Sequence, residues 1–345
     1  MVKNNQYQKV VEITEKLEQG IKDLFDSEKY REFLNTMSRF PSYSLNNNLL
    51  IAFQKPDATL VASYTTWQKE FGRQVKKGEK AIRILAPAPY KQLVETDRID
   101  PVTQKAVIGP DGNPEKVTQE VSRMFFKVVS CFDVSQTEGK ELPSIGVDEL
   151  TGEVREYEDF WNALTAICPV PVAFEVIYGN AKGYYHQLEQ RIAIREGMSQ
   201  IQNIKTLIHE MVHERLHAID PEQKMTAIQN TTRSTKEVEA ESAAYTICQH
   251  YGIETSEYSF AYIAGWSHGK ETPELKASLQ TIRKTANEMI TAIDEKLQEL
   301  RKERERGDKE QYGIKPSIRS VLKNNSMEAQ KVAGVEKKKE RELSL

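Results

Sequence analysis

The residues that most restrict this chain are Thr206-Leu207-Ile208-His209-Glu210-Met211-Val212-His213, where two histidines four apart enclose a glutamate in the order H-E-x-x-H. On a helix, residues four apart lie one turn above each other on one face. Both imidazoles can then reach one Zn²⁺ at about 2.0–2.1 Å. Glu210 projects beside them, where its carboxylate can take a proton from an attacking water. Ile204, Leu207, Ile208, Met211 and Val212 recur at the spacing that holds the opposite face in a core.

A catalytic zinc asks for a third protein ligand. His217 sits eight residues beyond His209, a rise of about 12 Å along a helix, and one ion cannot bridge that. The segment Lys236-Glu237-Val238-Glu239-Ala240-Glu241-Ser242-Ala243-Ala244-Tyr245 offers a better source. Glu237 and Glu241 share a helix face, and Ser242, Ala243 and Ala244 permit close approach of another helix. Glu241 lies deeper in the apolar stretch, where a lone carboxylate is costly to bury and a cation relieves the cost. Glu241 is therefore the expected third ligand. Glu237 is expected either to orient a ligating histidine or to belong, with Glu239, to a solvated acidic face.

The whole chain is consistent with a two-domain protein. Its 345 residues suffice for two cores. With 48 basic and 51 acidic residues its formal charge is −3, so a nucleic-acid site would have to be a local patch. Three cysteines, far apart and odd in number, read as thiols of a reducing compartment. With no signal-peptide core and no apolar run of membrane length, the expected location is cytoplasmic, with no membrane partner.

The pattern predicts a helix over 6–40, a polar hinge at 43–48, and a helix over 63–73 capped by Ser63 or Thr65. Short strands follow at 81–85 and 125–132. Residues 86–120, rich in Pro, Gly and charge, read as a mobile loop with Asp111-Gly112 as a hairpin tip. Gly139, Pro143 and Gly146 mark a boundary between domains at 1–140 and 150–306. The second domain is read as a helix over 156–168, strands at 174–177, 183–185 and 191–194, a helix from a Ser199 cap to about 217, another over 235–251, and a long amphipathic helix from 272 to about 306. Residues 307–345 read as a polar tail. The fold class is α+β.

Between Tyr64 and Leu85 six basic residues (Lys69, Arg73, Lys76, Lys77, Lys80, Arg83) face two acidic ones, with Tyr64, Trp67 and Phe71 among them. Single-stranded nucleic acid asks for cations along its phosphates and aromatic faces for its bases. Tyr43, Asn46, Asn47, Trp67, Lys76, Lys77 and Lys80 are the candidate contacts. A solvated helix face with a buried Trp67 explains the same residues equally well.

The stretch Tyr43-Ser44-Leu45-Asn46-Asn47-Asn48, Trp67, Val75-Lys76-Lys77-Gly78-Glu79-Lys80-Ala81 and Phe132-Asp133-Val134-Ser135-Gln136-Thr137 resembles the N-terminal domain of the antirestriction protein ArdC family. That resemblance implies single-stranded DNA binding. The H-E-x-x-H helix with the 237–245 helix resembles the family's zincin-like metallopeptidase domain, and the likeness spans about residues 6–300. It implies a mobile-element protein that shields incoming single-stranded DNA, with Glu241 as third ligand. A protease that cleaves a repressor or host protein, with the N-terminal half for recruitment, is the competing reading. A DNA binder with structural zinc is disfavoured by Glu210, since a structural site needs no base between its histidines.

Overall fold

In the computed structural model the periodic run over 6–40 is two helices, α1 (Val2–Asp23) and α2 (Ser27–Arg39). The structure describes residues 2–311 except 102, 111, 143–153, 218–231, 254 and 259. Leu24 and Phe25 leave the helical path to enter the core. Asp26, with extended backbone, accepts the Glu28 N–H and restarts the helix. The hinge becomes the start of α3 (Leu45–Gln54), which Ser44 caps through the Asn47 N–H.

Next come β1 (Val61–Ser63), α4 (Tyr64–Lys69), β2 (Arg73–Val75), β3 (Ile82–Asp97), β4 (Lys116–Asp133) and β5 (Thr137–Gly139). Ser63 caps α4, as expected. The 86–120 stretch differs from the loop expected there. β3 and β4 form one long antiparallel ribbon, in register from Ile82 opposite Cys131 to Asp97 opposite Lys116. Past Leu85 and Val128 much of both faces meets solvent, so backbone pairing rather than a buried stripe organises it, and alternation is weak. Pro87 and Pro89 are tolerated because β3 is the edge of the sheet order β1-β4-β3. Of the expected tip, Asp111 lies outside the described residues. Gly112 has a φ of 79° and donates its N–H to Gly109.

The second half contains α5 (Val154–Ile167), β6 (Val172–Glu175), β7 (Gly183–His186), β8 (Arg191–Arg195), α6 (Gln200–His217), α7 (Arg233–His250), α8 (Ile263–Ser267) and α9 (Thr272–Gln311). Its sheet has the order β6-β8-β7, β6 parallel and β7 antiparallel to β8, so β7 is an edge strand among the described residues. Helix and strand alternate within an α+β fold that ends on one long helix. The expected tail lies outside the described residues from 312 onward.

Packing crosses the boundary expected at 140–150, most of which lies outside the described residues. The Tyr30 and Ser242 hydroxyls are hydrogen-bonded at 2.8 Å, and the Tyr245 hydroxyl donates to Asn35 at 2.7 Å. Arg283 of α9 reaches the Tyr43 carbonyl. Leu17, Phe33, Leu34 and Met37 share one hydrophobic cluster with Val238, Ile247 and Leu279. No helix among the described residues is long and apolar enough to cross a membrane.

Candidate functional site

Helix α6 begins at Ser199, whose hydroxyl accepts the Gln202 N–H, and it buries Ile204, Leu207, Ile208, Met211 and Val212. That fixes the other face. There the Nε2 atoms of His209 and His213 stand 3.1 Å apart. Glu237 Oε2, from the second turn of α7, lies 3.6 Å from His213 Nε2 and 4.0 Å from His209 Nε2. Donors about 2.0–2.1 Å from one tetrahedral ion stand roughly 3.3 Å apart. Two imidazole nitrogens and a carboxylate oxygen at these separations fit a zinc-sized cation, and this is the one such cluster of three among the described residues. The histidine beside Glu237 holds its carboxyl below the ordinary range.

The carboxylate that closes on the histidines is thus Glu237, where Glu241 was expected. Glu241 lies one turn further along α7, and its Oε2 accepts the Tyr262 hydroxyl. The burial argument favoured the deeper residue, but the site opens onto a cleft and its carboxylate is half-exposed. His217 closes α6, and its side chain lies outside the described residues.

Glu210 is 8% exposed beneath the two histidines. Burial pushes its pKa up to about 7, against the pull of His213 and of a hydrogen bond from the Tyr185 backbone. A carboxyl in that range can both take and return a proton near neutrality. Strand β7 comes this close because it begins with Gly183: a Cβ there would meet Thr206 Cγ2 at 2.6 Å and the Ala193 carbonyl at 2.9 Å. The outer edge of β7 therefore runs beside Glu210, to which the Tyr185 backbone donates from that edge. Of the tyrosines on this strand, Tyr184 donates to Glu175 and the Tyr185 hydroxyl accepts from Gln190.

Two cavities meet at His209 and Glu210. One, about 650 Å³, is walled by Tyr184, Tyr185, His213, Arg233, Lys236 and Glu237. The other, about 350 Å³, is walled by Lys182, Lys205, Thr206, Glu241, Glu257 and Tyr258.

The nucleic-acid candidates divide. Trp67 is fully buried, and its Nε1 donates to the Phe132 carbonyl at 2.8 Å. It is a core residue with no ring face for a base, which corrects the expectation of stacking. Asn47 pairs with both the N–H and the carbonyl of Leu85, acting as a strand on the edge of β3. The half-buried Tyr43 donates to the Val61 carbonyl, and Asn46 is half-buried. Lys76, Lys77 and Lys80 are exposed on the turn between β2 and β3, with Lys76 Nζ resting on the Ser135 carbonyl.

The motif at 132–137 braces that turn. Asp133 accepts the N–H groups of Thr59, Leu60 and Ser135. Gln136 binds the Asp133 N–H, the Glu79 carboxylate and the Lys80 carbonyl. Sequence reasoning placed these residues beside a boundary, although three polar side chains capping each other within four positions were a signal of a clasp.

Residues 4–132 match the sequence model of the N-terminal domain of anti-restriction factor ArdC. An uncharacterized protein of Bacillus anthracis is 30% identical over 86% of the chain, which spans 53% of that relative, about half its length. Crystal structures of the antirestriction ArdC protein from the R388 plasmid, one metal-free and one Mn(II)-bound, are 21% identical. They cover 74% of this chain and 84% of theirs, with a TM-score of 0.42. On the family match over 4–132 and the motifs beyond it, the chain resembles the antirestriction protein ArdC family.

Proposed function

We propose that this chain is an antirestriction protein that binds single-stranded DNA through its N-terminal half and carries a metal-dependent peptidase in its second half. The observation that carries the peptidase reading is the convergence of His209, His213 and Glu237 above a buried Glu210, beside the open edge of β7. An extended peptide can add to such an edge through its backbone. His209, His213 and Glu237 would hold a divalent cation, with zinc the natural choice for two nitrogens and one carboxylate. The cation supplies Lewis acidity toward a carbonyl. Glu210 accepts the proton of the attacking water and returns it to the leaving amine, which its raised pKa suits.

The DNA reading is supported by the family match over 4–132 and by the exposed Lys76, Lys77 and Lys80. Phosphates drawn to that turn would release counterions, so affinity should fall as salt rises.

The test uses full-length protein. Wild type should hydrolyse polypeptide and bind single-stranded DNA, and Glu210→Gln should lose hydrolysis while keeping bound metal and DNA affinity. Hydrolysis that survives Glu210→Gln would overturn the peptidase reading. Absence of single-stranded DNA binding at low salt would overturn the other.

A further inference from the structure

We propose that the cavity on the Lys205 side of Glu210 is a recognition pocket for a carboxylate of the bound polypeptide, an inference that rests on the peptidase reading. Lys205 lies one turn before His209 on α6, and its side chain is 6% exposed. Its Nζ stands 3.3 Å from Glu257 Oε2 and 5.4 Å from the centre of the Tyr258 ring. Lys182, in the approach to β7, places its Nζ 3.2 Å from the same Glu257 oxygen and 3.0 Å from Gln202. One carboxylate oxygen thus serves two ammonium groups.

Burying an ammonium is costly, and an ion pair in such a place is often no more stable than an apolar replacement. Lys205 follows Ile204 and stands two residues before Leu207 on a helix that could carry another apolar residue there. Its charge is better explained by what enters the cavity. The remaining carboxylates of the wall are otherwise engaged: Glu210 faces the histidines, and Glu241 holds the Tyr262 hydroxyl.

Glu257 is 59% exposed, in the connection between α7 and α8. Its carboxylate can swing away without unpacking the core. It occupies the position that a ligand carboxylate takes, and the ligand displaces it. An acidic side chain near the scissile bond and a free peptide C-terminus present the same group, so the pocket selects for one of these.

Anisotropy of fluorescent peptides on the full-length Glu210→Gln protein reads binding without turnover. Matched peptides carry Glu or Gln near the centre, each with an acid or an amide C-terminus. The expected result is about tenfold tighter binding of one carboxylate-bearing arm, the scale of a charge-assisted contact. The arm that responds, internal Glu or terminal acid, identifies the source. Lys205→Met should erase the preference. Lys182→Met, at an exposed position, should reduce it even if Lys205→Met fails to fold. Glu257→Gln should strengthen it by removing the competitor. Equal binding of all arms, or a preference weakened by Glu257→Gln, would overturn the pocket. Hydrolysis by wild type separates the two ideas: cleavage without preference overturns the pocket alone. A preference without cleavage supports the pocket and overturns the peptidase reading.

Discussion

Glu237 Oε2 stands 3.6 Å from His213 Nε2 across the contact of α6 with α7, while Glu241, one turn on, is held by Tyr262. Glu237 meets the histidine pair in this arrangement, and bringing Glu241 to it would require its carboxylate to leave Tyr262 or the helix to shift. The packing of α7 against both α6 and α2 opposes such a shift. The roles of the two glutamates are therefore separable by mutation.

Gly183→Ala should damage the site from outside it. The added methyl meets Thr206 and the Ala193 carbonyl at under 3.0 Å, and overpacking of this kind costs about 1–3 kcal/mol. Because β7 must move off α6, the Tyr185 contact with Glu210 should loosen. Hydrolysis should fall more than the loss of Tm alone explains, read by comparing activity well below both melting points. Unchanged activity would show that the strand need not lie so close.

Asp133 should give the chain a defined acid sensitivity. Burial raises its carboxyl, but the hydrogen bonds from Ser135, Thr59 and Leu60 outweigh burial and hold its pKa below the ordinary carboxylate range. With the folded pKa below the unfolded one, this stabilisation is complete above about pH 4. It is lost as pH falls through the depressed value. Asp133→Asn should cost about 1–3 kcal/mol by urea unfolding at pH 7, and the gap from wild type should narrow as pH falls below the ordinary carboxylate range. A gap independent of pH would mean that charge at Asp133 is immaterial.

Trp67 and the lysine turn should fail in different ways. Trp67→Ala should cost about 3–5 kcal/mol as a buried aromatic truncation, with DNA binding lost only as the fold is lost. The double substitution Lys77→Ala and Lys80→Ala should leave Tm unchanged, weaken single-stranded DNA binding and flatten its salt dependence. Trp67→Ala protein that remains folded but binds DNA less tightly would restore the stacking role.

What was legible in the sequence follows the strength of local signals. The caps at Ser63 and Ser199, the α6 apolar face and the long final helix were readable because each rests on spacing within one or two turns. The break at Asp26 was hidden, since Leu24 and Phe25 continue the apolar period while leaving the helix. The β3–β4 ribbon was hidden because residues exposed on both faces keep no alternation. His209, Glu210 and His213 share one helix, so their proximity was readable from spacing alone. Choosing between Glu237 and Glu241 needed the axial offset of α7 against α6, a tertiary quantity. Trp67 illustrates the same limit, for aromatic residues among lysines serve a core and a nucleic-acid surface alike.

Metal content of purified full-length variants tests the central claim most directly. Zinc bound per chain should be lost or crippled in His209→Ala, His213→Ala and Glu237→Ala, because three protein ligands leave little redundancy. Glu241→Ala and Glu210→Gln should retain it near the wild-type level. Full zinc in Glu237→Ala together with an empty Glu241→Ala would contradict the assignment of Glu237.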